Sequence, residues 1–276
     1  MKEMGLFTID EEKCTGDGIC AAVCPGCLIN APEPGSYPTS VPDAEKRCIK
    51  CGHCLAACPH GALSLEFMDV NDALPIREEW RLSPEQAAQF LRTRRSVRVY
   101  KEEPVPRQLL AGVIDIARYA PTGRNSQTVE WLVIQEARDV QRLAGLAIDW
   151  WRSIPGEQLE QAGMIAYARL PEEWDRGFDH ICRKAPHVVV AHGLRAAAPQ
   201  TSCTIALTYL ELAAFANGLG ACWAGLLQTA IMQHAPLRQA LGLPEANEVY
   251  GAMLIGYPKY RYYRIPVRKE PPIIWR

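Results

Sequence analysis

Cys48-Ile49-Lys50-Cys51-Gly52-His53-Cys54-Leu55-Ala56-Ala57-Cys58-Pro59 is the stretch on which the reading of this chain turns. It spells C-x2-C-x2-C-x3-C-P, a spacing that wraps a [4Fe–4S] cluster. Three thiolates recur every third residue, so a tightly wound loop can aim them at three corners of one cubane. The fourth stands off by three residues, is halted by a proline, and points towards a second cluster. That geometry demands a sister run. Cys14-Thr15-Gly16-Asp17-Gly18-Ile19-Cys20-Ala21-Ala22-Val23-Cys24-Pro25 supplies it, with Asp17 in the place of the second cysteine. Crossed ligation follows: Cys14, Asp17, Cys20 and Cys58 around one cluster, Cys48, Cys51, Cys54 and Cys24 around the other.

Other uses of these cysteines fit less well. A zinc site usually needs two C-x2-C pairs converging on a tetrahedron. Disulfides do not ordinarily come in two matched frames. Asp17 leaves two readings open. Its carboxylate ligates the fourth iron of a [4Fe–4S] cluster, or it is a turn-forming Asp between Gly16 and Gly18 beside a [3Fe–4S] cluster with one vacant corner. A hard oxygen donor holds iron less firmly than a thiolate, so this cluster is expected to lose iron easily. Cys27, just past the first run, is expected to be a packed thiol and not a ligand. Over residues 5–66 the two runs resemble two-cluster ferredoxins, including those with aspartate in this position.

The whole chain has 276 residues, 48% hydrophobic and 22% charged, enough for one large or two modest domains with a substantial core. A net charge of −1 argues against nucleic acid as a partner. The charge is uneven: up to Asp69 there are ten acidic and five basic residues, and beyond it 21 acidic and 25 basic. An acidic front suits docking of an electron carrier, and a basic rear suits phosphate. Met1-Lys2-Glu3-Met4-Gly5 lacks the apolar core of a signal peptide, and no uncharged apolar run reaches membrane-spanning length. A cytoplasmic protein with no membrane partner is therefore expected, and exposed clusters favour the same reducing compartment.

Along the chain, residues 1–66 read as the cluster domain, with short strands at Leu6–Asp10 and Ala62–Glu66. Residues 67–82 read as a linker, and residues 83–276 as a second domain. Ser83, Pro84 and Gln86 make a capping box with proline at the first helical position. A second helix is expected over Arg107–Tyr119, with Leu109, Leu110, Val113, Ile114 and Ala117 on one stripe. Strands are expected at Glu130–Gln135, His187–His192 and Val249–Tyr257. Residues 201–217 form a helix apolar nearly all round, so central in a core or in a subunit interface, capped by Asn217-Gly218-Leu219-Gly220. Residues 140–180, with Trp150, Trp151 and Pro155-Gly156, read as a lid-like excursion whose tryptophans favour a substrate pocket. His180, His187 and His192 read as structural. The basic, proline-rich tail from Pro258 suits an extended arm.

Arg94-Arg95-Ser96-Val97-Arg98 offers three guanidiniums and a hydroxyl within five residues, enough to surround a dianionic phosphate with bidentate bonds. No G-x-G-x-x-G follows a strand and no P-loop is present. The phosphate therefore belongs to something other than a Rossmann-bound dinucleotide or a P-loop nucleotide. Residues 83–270 resemble the flavin-dependent nitroreductase family through this segment, through Ala120-Pro-Thr-Gly-Arg-Asn-Ser-Gln127, through Gly218-Leu-Gly-Ala-Cys-Trp-Ala-Gly225, and through Gly256-Tyr-Pro-Lys followed by Arg268-Lys269. The whole chain is similar to the ferredoxin-fused branch of that family. Two departures are visible: Thr128 stands where a proline is usual, and Val129-Glu130 precedes Trp131.

The resemblance implies an α+β fold: a small two-cluster ferredoxin domain, then a domain with a central antiparallel or mixed sheet flanked by helices. It implies FMN, its phosphate held by Arg94, Arg95, Ser96 and Arg98 with Arg268 and Lys269 closing from the tail. Asn125 and Gln127 would meet the isoalloxazine edge, Thr122 and Gly123 would come from the facing subunit of a homodimer, and Trp223, Ala224 and Gly225 would line the ring. The implied activity is an FMN-dependent, nitroreductase-like oxidoreductase. Electrons would pass from a ferredoxin or other low-potential donor through two clusters to FMN, then to a nitroaromatic or similar small acceptor. The alternatives are an electron-transfer module serving a protein partner, or the same fold reducing enones or halogenated substrates. No side chain is named as general acid.

Overall fold

The computed structural model describes residues 5–197 and 199–276, so the first four residues of the expected cluster domain lie outside it. The chain separates into two units. One holds the described residues up to Arg81 together with Gly123–Ser126; the other holds Leu82–Thr122 and Gln127–Arg276.

The first unit is framed by β1 (Phe7–Ile9), paired antiparallel with a later strand, β4 (Leu63–Leu65), so that Phe7 faces Leu65 and Ile9 faces Leu63. Between them lie two copies of one winding. The helical turns α1 (Ile19–Ala22) and α3 (His53–Ala56) each follow a left-handed glycine, Gly18 at φ 73° and Gly52 at φ 72°. Two residues earlier, Gly16 (φ 70°) and Lys50 (φ 55°) are left-handed as well. The match continues past each run. Leu28 N–H donates to Cys24 Sγ at 3.4 Å, and Ala62 N–H donates to Cys58 Sγ at 3.3 Å. The strands β2 (Ile29–Asn30) and β3 (Thr39–Ser40) pair, and α2 (Ala44–Arg47) leads into the second run. Leu6, Leu28, Ile29, Leu55, Leu63 and Leu65 fill a small core. Cys27 departs from expectation. It is exposed and left-handed (φ 49°) at the turn position that Gly61 (φ 58°) occupies in the second copy. A turn of that kind directs its side chain to solvent, so the residue is not a packed thiol.

The second unit is a four-stranded antiparallel sheet in the order β5-β6-β8-β7: β5 (Glu130–Ile134), β6 (His187–Leu194), β7 (Gly220–Trp223) and β8 (Asn247–Gly256). Strand periodicity divides the sheet's residues between two cores. Val188, Val190, Cys222, Ala252 and Leu254 face one layer; Val189, Ala191, Ala221, Met253 and Ile255 face the other. The first layer includes α6 (Ala137–Ser153), α7 (Gly156–Gln161), α8 (Leu170–Asp175), α10 (Gly225–Gln233) and α11 (Ala235–Ala240). The second is built from α5 (Arg107–Ala117) and α9 (Gln200–Ala216). Ahead of both lies α4 (Pro84–Thr93), opened by the capping box: Gln86 N–H donates to Ser83 Oγ at 3.2 Å and Ser83 N–H to Gln86 Oε1 at 2.9 Å. A methyl group on Gly251 would lie 2.3 Å from Leu207 Cδ1, so glycine here leaves β8 the room that the Leu207 side chain of α9 fills.

The excursion expected over residues 140–180 is packed structure in its first part, while residues 152–169 are exposed or half-buried apart from Leu159. Helix α6 buries Val140, Leu143, Ala144, Ala147, Ile148 and Trp151 along one stripe. Trp151 is 2% exposed and stacks edge-on with Trp150 and against Tyr167. Its indole belongs to the core and does not line a substrate pocket.

The histidines hold the sheet's margins. His187 Nδ1 donates to Gln135 O at 2.7 Å while Nε2 accepts Val105 N–H at 2.8 Å, a pattern that requires the neutral ring. Burial pushes the His187 pKa below its usual 6.5. The unfolded chain therefore takes up a proton as pH falls through about 6.5 and the folded chain does not follow until lower pH. Stability contributed by this ring is full above that value and is lost below it. Denaturation midpoints measured from pH 7.5 to pH 5.5 should fall more steeply for the natural protein than for His187→Gln; equal slopes would contradict the assignment.

Among the described residues no helix is long and apolar enough to cross a membrane.

Candidate functional site

In the first unit the two cysteine runs are folded across one another. One cavity is lined by Cys14, Asp17, Cys20 and Cys58, with Ile9, Leu63 and His60 around them. A second is lined by Cys24, Cys48, Cys51 and Cys54, walled by Leu6, Leu28, Ile29 and Leu65. Each cavity thus takes three donors from one run and one from the other. Among the described residues no three such side chains close tightly enough to hold a single metal ion. All eleven cysteines are free. Backbone amides reach the sulfurs: besides those on Cys24 and Cys58, Lys50 N–H donates to Cys48 Sγ at 3.4 Å. Such bonds favour thiolate over thiol and tune a cluster's potential. Burial works the other way on the free protein, pushing the Cys54 thiol up to about 11 and raising that of Cys20. A cation cluster bound in the hollow would draw off the Cys54 proton. Asp17 spends one carboxylate oxygen on Ile19 N–H at 3.0 Å, opening α1, and its other oxygen lies 3.5 Å from Thr15 Oγ1.

In the second unit the Arg94–Arg98 segment leaves α4 and runs along the sheet margin. Ser96 bridges Ala221 of β7, Val97 N–H donates to Ala221 O at 2.9 Å, and Tyr100 bridges Pro258. Tyr100 is buried, its hydroxyl donating to Val97 O at 2.7 Å. This strapping sets the arginines beside a cavity of about 380 Å³ whose lining includes Thr93, Arg94, Arg95, Glu211, Tyr260 and Arg261. Arg94 Nη1 meets Glu211 Oε1 at 2.6 Å, with 25% and 8% of the two side chains exposed. Arg95 gives Nη2 to Arg92 O at 2.6 Å, and its Nε is buried with no partner among the described residues. Arg98 is exposed, with Nη1 3.3 Å from Ser96 O. Arg94, Arg95 and Arg261 against the single carboxylate of Glu211 leave this cavity net positive, which fits a phosphate group, while Ser96 and Arg98 are not among the residues that line it.

The remaining candidates are dispersed. Asn125 lies in the 123–126 piece grouped with the first unit, where its amide donates to the carbonyls of Ile49 and Lys50 at 3.2 and 2.9 Å. Thr122 Oγ1 accepts Gln127 N–H at 3.0 Å. Arg124, Asn125 and Gln127 all have positive φ, between 47° and 53°, a concentration of strain that marks functional loops. Gly123 is exposed, with open space where a side chain would begin. Trp223 is half-buried against Gly251 and Ala224 is buried with its N–H given to Ala252 O, while Gly225 opens α10 in an exposed position. Arg268 and Lys269 are exposed in the extended tail, and the tail residues that do line the arginine cavity are Tyr260, Arg261 and Tyr262. Sequence reading therefore missed Arg261 and Glu211. The second left a signal: it is the one charged residue of α9, and a carboxylate in an apolar helix needs a cation.

Comparison with known proteins places this architecture. The 4Fe-4S dicluster domain matches residues 13–63, and the nitroreductase family matches residues 91–257. Over 194 residues the chain is 25% identical to a protein of Archaeoglobus fulgidus named as an NADH dehydrogenase/NAD(P)H nitroreductase, covering 70% of this chain and 98% of that one. FMN-bound nitroreductases from Bacteroides fragilis and Desulfitobacterium hafniense superpose with a TM-score of 0.55 each at 20% identity. They cover 69% and 68% of this chain and 99% and 96% of their own. At that identity the likeness speaks for the fold. The family match spans more than half of the sequence, and on it the protein belongs to the nitroreductase family, with a 4Fe-4S dicluster domain preceding the nitroreductase domain.

Proposed function

We propose that this protein is an iron–sulfur flavoprotein oxidoreductase. It takes electrons singly from a ferredoxin or other low-potential donor and delivers them in pairs to a nitroaromatic or similar electron-poor small molecule. The observation that carries the reading is one chain in which two four-donor cavities accompany an arginine-lined cavity with an unsatisfied guanidinium nitrogen. FMN, when bound, supplies the exchange between one-electron and hydride chemistry. The chain's own residues do the rest. Arg95, Ser96 and Arg98, with Arg94, hold the phosphate. Cys14, Asp17, Cys20 and Cys58 hold one cluster, and Cys24, Cys48, Cys51 and Cys54 the other. The half-buried ring of Trp223 and the amide end of α10 at Gly225 offer a flat apolar wall beside a positive helix terminus, which suits an electron-rich ring edge.

A homodimer is part of the proposal. Thr204, Thr208 and Tyr209 of α9 form an exposed stripe with half-buried Ile205 and Leu212, and Tyr263, Val267 and Trp275 of the tail are exposed. A second copy of the chain is the natural cover for both. Light scattering that found a flavin-loaded monomer would refute it.

The burial of Trp151 removes one argument for a small-substrate pocket and strengthens the second reading, a module passing electrons to a protein partner. Turnover decides between them. The expected result is a flavin spectrum over broad cluster absorbance, with steady reduction of a nitroaromatic under dithionite or reduced ferredoxin. Failure with many small acceptors, beside rapid oxidation by a protein partner, would favour the second reading. Colourless reconstituted protein would end both.

A further inference from the structure

Glu211 is buried in α9, a helix with no other charged residue, and α9 lies against the sheet face opposite α10. A lone carboxylate there would be costly without a cation, and the one it meets is Arg94, from 117 residues away, at 2.6 Å through a single guanidinium nitrogen. A guanidinium has five N–H groups in a rigid fork. One terminal nitrogen tied to α9 leaves the rest of that fork for the cavity that Arg94, Arg95 and Glu211 all line. Arg95, its neighbour, is held by a different anchor, Arg92 O, and keeps its buried Nε without a partner. Both guanidiniums are thus anchored through one terminal nitrogen each, and both side chains line the cavity.

We infer that Glu211 is a positioning residue: its carboxylate pins Arg94 so that the outer edge of the guanidinium, beside Arg95, presents preformed donors to a phosphate monoester in this cavity. The inference rests on the proposed FMN reading and adds to it a residue that touches neither ring nor phosphate. A long side chain loses rotamer freedom when it binds, and a pinned one has already lost it. The geometry also assigns the bond type. The carboxylate oxygen acts as an acceptor for one nitrogen, so an amide oxygen in its place keeps the pin, whereas a thioether does not.

The test compares FMN with riboflavin, which has the same ring and ribityl chain and no phosphate, by quenching of flavin fluorescence on the full-length, cluster-loaded protein. The natural protein should prefer FMN. In Glu211→Met that preference should fall about tenfold or more, the worth of a charge-assisted hydrogen bond, with riboflavin affinity unchanged. In Glu211→Gln it should hold within about threefold. Arg94→Lys is the second arm: a lysine can keep the ion pair and the fold, but a point charge has no outer edge, so the preference should again collapse. Equal losses for the two flavins in Glu211→Met, or an Arg94→Lys protein with its preference intact, would overturn the inference and make the pair a mere structural tie. Natural protein that binds both flavins alike, or neither, would instead sink the FMN reading itself.

Discussion

Replacing Cys51 by alanine is expected to cut the iron content from about seven or eight atoms per chain to about three or four, the loss of the cluster proposed in its hollow. Cys51 lines the cavity it shares with Cys24, Cys48 and Cys54, and takes no part in the other. The flavin affinity should be unchanged, because the arginine cavity is built wholly from residues beyond Leu82. Reduction of the flavin by a ferredoxin should nonetheless fail or slow by orders of magnitude, since a station on the proposed route is gone. An iron assay and a flavin titration on the same sample check both halves. If iron and flavin were lost together, the separation of the two sites would be wrong.

Arg94→Ala should strike the other unit and do two things at once. It leaves Glu211 charged and without its cation in an apolar helix, which costs about 3 kcal/mol, the low end for breaking a buried pair because a quarter of the Arg94 side chain is exposed. It also removes phosphate donors, and FMN affinity should fall about a hundredfold, the upper range for bonds to a charged group. The two effects separate in the double variant Arg94→Met, Glu211→Met. Stability should return, since a matched apolar pair can replace a buried ion pair, while FMN affinity should not. Iron should stay at the natural level throughout. Denaturation midpoints that did not recover in the double variant would show that the pair is not coupled as described.

What the sequence disclosed depended on the range over which its information acts. The capping box at Ser83 and Gln86 is local chemistry, and it appears as written. The apolar runs of β6 and β8 and the mostly apolar α9 are decided by burial, which composition reports directly. The cysteine runs carry their spacing in the chain itself, and their eight residues line two hollows in crossed sets. The failures have physical reasons too. Residues 137–153 hold a regular helical stripe, Val140, Leu143, Ala144, Ala147, Ile148 and Trp151, which the paired tryptophans and Pro155-Gly156 masked. The Arg94–Glu211 contact joins residues 117 apart, and no local pattern foretells which cation a buried carboxylate will find. Cys27 was misplaced because its type favours burial, whereas a left-handed turn exposes it.

The crossed lining of the two hollows bears on the order in which the protein can be made. Each hollow waits for a donor from the opposite run: the first for Cys58, the second for the pair of runs that ends with Cys54. A nascent chain released at residue 47 would hold neither set entire, although the whole of the earlier run would already have left the ribosome. The second set is entire once Cys54 is made and the first only with Cys58, so a product cut short before Cys54 closes neither hollow, and one cut between the two closes the second alone.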